Sequence, residues 1–306
     1  MKHLQKLIID SIIKEDTRFN YRALKSQMDK KRPYTLPLLW KNGDHWIPVC
    51  KVEDIPNNKS EFDAVVYEKN TSYEEVLWDV LQTDDLNIFD IANIIQLLDA
   101  NSPDYDKSLW AQRLKIGLEQ WEKIKILSCY KIEWTSFFLS KNVPLKRIMN
   151  FSDHDLRELL LPLLSLNPGI NVLEAIANLL SELAHRNKVS VDRVWEQLKI
   201  SLILTSDEMQ STLKLQKIRT KLYEARYPII SGYRKRLNEH IAGMPRTVGI
   251  DLITDQDFET PGLRLQADIR SRADIEKLQE WLKDQRSYLE KIIDIQKGNG
   301  RNEEEQ

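Results

Sequence analysis

The stretch 105–128 constrains the fold more than any other part of the chain. It reads Tyr-Asp-Lys-Ser-Leu-Trp-Ala-Gln-Arg-Leu-Lys-Ile-Gly-Leu-Glu-Gln-Trp-Glu-Lys-Ile-Lys-Ile-Leu-Ser. Trp110, Leu114, Ile116, Trp121 and Ile124 recur at helical spacing on either side of Gly117, and the small Ala111 stands where two helices would touch. Two short helices joined by a tight turn satisfy that order, which is what a helix-turn-helix requires. Asp106 or Lys107 begins the first helix, Ile116-Gly117 lies in the turn, and 118–127 forms the second helix. Two readings of this hairpin stand side by side: a DNA-reading motif, and a helical hairpin kept for packing.

Little else points to a chemistry. The five histidines, His3, His45, His154, His185 and His240, show no ligand spacing, and no P-loop, nucleophile elbow or calcium loop occurs. His154 between Asp153 and Asp155 reads as a solvated helix start, and Asp84-Asp85 as a helix-entry loop. Cys50 and Cys129 are far apart and build neither a zinc site nor a disulfide framework, which makes a reducing cytosol the default. No run of about 18 apolar residues is present, so no membrane span is expected. The chain is expected to lack catalytic residues, bound metal and cofactor. With 42% hydrophobic and 30% charged residues and only 9 Gly, 306 residues suit a helix-rich globular protein of two or three domains.

Charge is strongly segregated. Residues 52–106 hold 14 acidic and 2 basic side chains, whereas 107–147 hold 9 basic and 3 acidic, and 214–246 hold 9 basic and 2 acidic. Such blocks suit a protein that meets a polyanion on one side, although helical surfaces also produce them by chance.

Periodicity divides the chain. The first 73 residues are the most strand-like, with apolar runs at 7–13, 35–40, 46–52 and 62–67 and a loop at 57–60. Asn42-Gly43 between two of these runs predicts a hairpin turn, with Trp40 and Trp46 stacking across the strands. Helical patterns follow. Ser72 and Glu75 form a capping-box pair, and Asn87 caps the next helix. Further helices are expected at 106–115, 118–128, 132–140, 152–164, 171–186, 190–204 and 207–227, with Asn167-Pro168-Gly169 as a break. A basic helix carrying Arg234, Lys235 and Arg236 ends near Gly243. Alternation then returns at Val248, Ile250 and Leu252 and again at 263–269, around a loop with Pro261-Gly262. Ser271 caps a final helix whose Ile275, Leu278, Leu282, Leu289 and Ile292 approach a heptad, with Gln285 in one core slot.

Residues 79–87, Asp-Val-Leu-Gln-Thr-Asp-Asp-Leu-Asn, resemble the Glu-Asn-Leu-Gln-Arg-x-x-Leu signature of ParB-type chromosome and plasmid partition proteins. In that family a helix and then a helix-turn-helix follow, the order found here. Leu7 to Ile12 with Thr17-Arg18-Phe19 resembles the family's opening strand and arginine-containing stretch, and Leu36-Pro37-Leu38-Leu39-Trp40 its Pro-x-x-Val strand. The resemblance covers roughly residues 4 to 150 and implies DNA binding, self-association through the C-terminal domain and a ParA-like ATPase as partner. It also implies a CTP site. Where that site needs glycine and arginine to grip phosphates, this chain has Trp46-Ile47-Pro48-Val49-Cys50-Lys51, and in the second signature Val80 and Thr83 replace Asn and Arg. Only Asp79 keeps a candidate metal-binding carboxylate, so the nucleotide site is expected to be lost. The same fold is similar to that of sulfiredoxin, whose reactive cysteine lies near the turn where Cys50 stands. The neighbouring glycine, histidine and arginine of that family are absent, and Cys50 reads instead as a small apolar residue in a buried strand.

The expected fold class is α+β and predominantly α-helical. A degenerate ParB-like N-terminal α/β domain (1–76) precedes a helical domain with the helix-turn-helix at 106–128 (77–205). Basic helices and a strand-strand-helix module follow (206–297), then a disordered tail (298–306). The expected function is non-enzymatic DNA binding in plasmid partition, chromosome segregation or regulation, by a cytoplasmic, nucleoid-associated homodimer. The candidate DNA-contacting residues are Lys107, Arg113, Lys115, Gln120 and Lys123 around the motif, and Lys214, Lys217, Lys221, Arg234, Lys235 and Arg236 downstream. Gln120 could read an adenine edge, and Lys123 a phosphate or guanine. Glu119 and Glu122 on the same helix oppose a phosphate polyanion, and Lys115 sits where many such turns place a glycine. Ile275, Leu278, Leu282, Leu289 and Ile292 are the candidate dimerisation residues. The alternative is a protein-interaction adaptor that kept the scaffold and no longer reads DNA.

Overall fold

The computed structural model describes residues 2–8, 18–20, 22, 36–49, 61–68, 70–82, 84–207, 209–244, 249–255 and 262–297. Residues 9–13, Thr17, Cys50, Lys51, 52–60, Thr83, Val248, Pro261 and the tail 298–306, all part of the sequence reading, lie outside them. The fold is α+β and predominantly helical. The chain divides into two compact units, Met1–Ser165 and Leu166–Gln306, at the Asn167-Pro168-Gly169 break, where Asn167 turns to positive φ. Among the described residues no helix is long and apolar enough to cross a membrane.

The first unit opens on a four-stranded sheet of order β1-β4-β2-β3, built from β1 (Lys2–Ile8), β2 (Leu38–Asn42), β3 (His45–Pro48) and β4 (Glu61–Tyr67). β1 pairs antiparallel with β4, β4 runs parallel to β2, and β2 and β3 form the hairpin. The opening strand therefore begins five residues before the apolar run at 7–13. The hairpin turn lies one residue later than the Asn-Gly pair suggests. Asn42 pairs with His45, leaving Gly43 and Asp44 as the loop, and Gly43 takes φ +62°. A two-residue loop whose twist matches the strands needs that left-handed first residue.

Register decides the tryptophans. Trp40 pairs with Ile47 and Trp46 with Lys41, so the two rings lie on opposite faces and do not stack. Trp40 packs with Phe19 and Tyr73 and donates its ring N–H to Thr71 O at 3.0 Å. Trp46 joins Leu39, Phe62, Ala64 and Val66 on the other face, under the Lys41 ammonium.

Helices α1 (Tyr73–Leu81) and α2 (Ile88–Asn101) follow, and both begin with reciprocal capping boxes, Ser72 with Glu75 and Asn87 with Asp90. Asp90 is fully buried and paired with Arg22 at 2.9 Å, and Arg22 also pairs with Asp84 at 3.0 Å. The acidic entry of α2 is thus an ion-paired helix start. α3 (Lys107–Arg113), α4 (Trp121–Lys125), α5 (Ile132–Ser140), α6 (Leu145–Ile148) and α7 (His154–Leu160) complete the unit. Asp153 caps α7, accepting from Leu156 N at 2.8 Å. Its core is aromatic: Phe138 packs against Phe89, Tyr130, Trp134, Phe137 and Phe151. The buried Arg157 lies over the Tyr130 ring and donates to the carbonyls of Phe151 and Ser152, closing the end of the preceding 3-10 turn.

In the second unit, α8 (Ile170–Asn187) packs on α11 (Ser211–Arg226). The expected helix at 190–204 is two, α9 (Val191–Gln197) and α10 (Ile200–Leu204), separated at Lys199 with φ +50°. α11 starts at Ser211, not Asp207. α12 (Pro228–Gly243) follows after the single residue Tyr227, and Pro228 opens it as its missing N–H allows. β5 (Ile250–Thr254) and β6 (Leu263–Ala267) pair antiparallel. The capping box of Ser271 and Asp274 starts α13 (Arg272–Asp284).

The final helix is broken. α13 ends before Gln285, and α14 (Arg286–Gln296) turns onto α12. Leu237, Met244, Ile292 and Ile295 form the core there, with Leu289, Trp281, Leu252 and Leu263 packed around it.

Candidate nucleic-acid interface

The first helix of the hairpin forms where the apolar spacing predicts it, but the second helix expected at 118–128 is a five-residue α-helix, Trp121–Lys125, between two 3-10 turns. Asp106 caps α3, its carboxylate accepting from Ser108 N and Leu109 N. α3 ends in a Schellman turn: Ile116 N–H donates to Ala111 O at 3.0 Å and Lys115 N–H to Gln112 O at 3.2 Å. Lys115 carries the left-handed conformation this demands, φ +56°, the backbone state for which glycine is the usual choice. A 3-10 turn at Leu118–Gln120 leads into α4, which ends in a second 3-10 turn, Ile126–Cys129. Trp110, Ala111, Leu114, Trp121, Ile124 and Leu127 are buried, and Ile116 is half-buried.

Polar tethers lock the hairpin to the rest of the unit. Glu74 of α1 accepts from the Trp110 ring N–H at 2.8 Å and from the Ser102 hydroxyl at 2.8 Å. The Arg113 guanidinium lies over both Trp110 and Trp78, about 5 Å from each ring centre. Asp99 of α2 accepts from the Tyr105 hydroxyl at 2.6 Å and pairs with Lys125 of α4. Burial works against the Asp99 carboxylate, but hydrogen bonds from Lys125 and Tyr105 outweigh it and hold the group below its ordinary 3.8. Burial, then Asp99, pushes the Tyr105 hydroxyl up. Hydrogen bonding to Asp99 likewise raises Lys125.

The predicted contact residues separate into two kinds. Lys115, Gln120 and Lys123 are solvent-exposed. Lys107 is exposed and pairs with Glu122 at 3.3 Å, bridging the two helices. Arg113 is committed to its two tryptophans. Glu119 and Glu122 are exposed, and so are Leu118 (52%) and Ile126 (42%).

The downstream basic residues lie on two faces of α11 and α12. Lys214, Lys217 and Lys221 form one stripe of α11. Lys214 donates to Leu204 O at 2.7 Å, closing the end of α10, whereas Lys217 is exposed and Lys221 half-buried. On the opposite side of α11 a groove of about 1460 Å³ runs between α11, α12 and the start of α8. Arg219, Arg234 and Lys235 reach into it. The Arg234 guanidinium also lies over the Tyr223 ring, and Arg236 lies over Tyr233. Arg219 escaped the sequence reading, although Thr212, Gln216, Arg219 and Tyr223 are spaced as one helical face.

The candidate dimerisation residues do not form one seam. Ile292 is fully buried in the core of its own chain and Leu289 packs beside it. The break at Gln285 turns both inward. Ile275 stays 44% exposed, Leu278 and Leu282 are half-buried, and no α13 residue is fully buried.

Asp79, the candidate metal-binding carboxylate, accepts from the Tyr67 hydroxyl at 2.6 Å and pairs with Lys2. Among the described residues no group of three or more histidine, cysteine, aspartate or glutamate side chains is arranged to hold a metal ion. Comparison of the chain with protein-family models, curated proteins and solved structures returned no match.

Proposed function

We propose that this chain is a non-enzymatic, ParB-like DNA-binding protein acting in DNA partition or regulation, its CTP switch lost. The observation that carries the reading is the 107–129 hairpin. A left-handed turn joins two helices, the second packs on α2 through Trp121 and Ile124, and Gln120 and Lys123 lie on its exposed side. Gln120 and Lys123 face the groove in this reading. Phosphate affinity comes from Lys107 and Lys115 in the first unit and, in the second, from Lys217 and Lys221 on one side of α11 and Arg234, Lys235 and Arg236 of α12. The apolar stripe of α13, exposed Ile275 with half-buried Leu278 and Leu282, is the self-association surface, and a ParA-like ATPase is the expected protein partner.

Anisotropy of a labelled random duplex across a salt series tests the reading. If Lys107, Lys115, Lys123, Lys217 and Lys221 each neutralise one phosphate, the log–log slope is about −4.5. K217E/K221E then flattens it by about 2. No binding at about 50 mM salt, where counterion release favours it most, sinks the proposal.

A second reading has its own observation. Leu118 and Ile126 are exposed beside Glu119 and Glu122, a mixture that suits a protein partner better than phosphate. Absence of duplex binding would leave this adaptor reading standing.

A further inference from the structure

Helix α13 is amphipathic yet buries no residue fully in its own chain, whereas α14 is seated on α12. Gln285 alone separates the two. Main-chain hydrogen bonds flank it, Gln285 N–H to Trp281 O at 2.9 Å and Leu289 N–H to Gln285 O at 3.0 Å. Between them the helical ladder is open. The amides of Arg286, Ser287 and Tyr288 make no main-chain bond to the carbonyls of Leu282, Lys283 and Asp284, and no side chain caps α14. Nothing local demands this break. Residues 272–296 contain neither glycine nor proline, and Gln285 keeps a negative φ of −91°. The seam of Ile275, Leu278, Leu282, Gln285, Leu289 and Ile292 alternates spacings of three and four residues straight through it. The bend therefore comes from the packing of α14 on α12, in the cluster of Leu237, Met244, Ile292 and Ile295. That packing leaves polar groups unserved. Gln285 is buried with its side-chain carbonyl unpartnered, and one turn earlier the Trp281 ring N–H is buried and unpartnered too.

We propose that the chain dimerises by exchanging α14 between two copies, with Gln285 as the hinge. In the exchanged pair, residues 272–296 form one straight helix whose α14 half seats on α12 of the other copy. A second copy is the occupant because the structure already displays how α14 fits α12. Ile292 and Ile295 rebuild the same cluster with Leu237 and Met244 of the other chain, so the contacts of α14 are kept. Each copy gains the three main-chain bonds now open at Arg286, Ser287 and Tyr288. The straight helices cross between the two bodies, where the incompletely covered stripe of Ile275, Leu278 and Leu282 meets its counterpart. About a two-fold axis the hinges come together, and each Gln285 amide finds its partner in the other. The exchange rests on the self-association reading above, not on DNA binding, and names the segment that passes between the copies.

The contact between α12 and α14 exists in the bent and the exchanged form alike, and only the chain supplying each side differs. A side chain added at Gly243 would stand 3.9 Å from the Tyr288 ring, and both residues are exposed. In a full-length background with Cys50→Ser and Cys129→Ser, one chain carries Gly243→Cys and a co-expressed chain carries Tyr288→Cys. A short bismaleimide is applied to the dimer isolated by size exclusion, and a denaturing gel reads the products. A covalent heterodimer is expected, absent when either chain is expressed alone. With both cysteines on one chain, exchange joins two chains, whereas the bent form closes a link within one. A dimer that yields only links within one chain overturns the exchange and leaves side-by-side pairing through α13 standing. A chain that sediments as a monomer overturns both. Gln285→Gly is expected to weaken dimerisation about 30-fold, because the glycine deficit in a helix interior counts once in each copy. An unchanged dissociation constant, with native circular dichroism, overturns the hinge.

Discussion

Trp110→Phe isolates the tether that fixes the hairpin to α1. Trp110 is fully buried, and its ring N–H donates to Glu74 at 2.8 Å. Phenylalanine keeps an aromatic ring and removes the donor. A hydrogen bond to a charged group contributes about 1.5–3 kcal/mol. Glu74 is half-buried and keeps Ser102, so the lower end applies, about 1.5 kcal/mol. The weaker attraction of Arg113 for the smaller ring adds about 0.5 kcal/mol. The sum is about 2 kcal/mol, and the void left by the lost ring atoms makes it a lower bound. Two compact units preclude a single two-state unfolding curve, so the measurement is local. Amide exchange of segment 105–128, read by mass spectrometry, is expected to accelerate about 30-fold for a 2 kcal/mol loss. In a Glu74→Ala background the hydrogen bond is already gone, and the same substitution should lose about tenfold of its effect. An equal effect in both backgrounds refutes the tether and assigns the loss to packing alone.

Lys115→Gly should stabilise the hairpin by about 0.5 kcal/mol, because relief of the left-handed strain slightly exceeds glycine's extra unfolded-state freedom; faster amide exchange of segment 105–128 would contradict this. Asp99 has a folded-state value below its unfolded one, so its ionised form contributes stability above pH 3.8 that is lost as pH falls through the depressed value. Thermal scans at descending pH should show a smaller acid loss in Asp99→Asn than in the native chain, and equal losses would remove Asp99 from the account. In the C-terminal module, Ile275→Asp should lower the sedimenting mass while circular dichroism stays native, because that side chain is 44% exposed. Ile292→Asp should unfold the module, since a charge buried without a partner costs several kcal/mol. A folded Ile292→Asp monomer would instead restore the continuous heptad.

What the sequence determined by itself was local. Ser72, Asn87, Asp106 and Ser271 announce their helices because a capping side chain and the amides it serves lie within one turn. The hairpin stripe from Trp110 to Ile124 was readable because helical period alone sorts those residues to one side. Tertiary structure decided whatever depends on residues far apart in the chain. Trp40 and Trp46 would stack as a pair only around a loop with an odd number of residues; the two-residue Gly43-Asp44 loop pairs Trp40 with Ile47 and puts the rings on opposite faces, because strand side chains alternate. The heptad through 275–292 looks continuous in sequence, yet packing on α12 breaks it at Gln285 and commits Leu289 and Ile292 to the chain's own core. Lys214 and Arg219 are five residues apart on one basic helix, and only the placement of α10 and α12 ties the first to a carbonyl and leaves the second facing a groove.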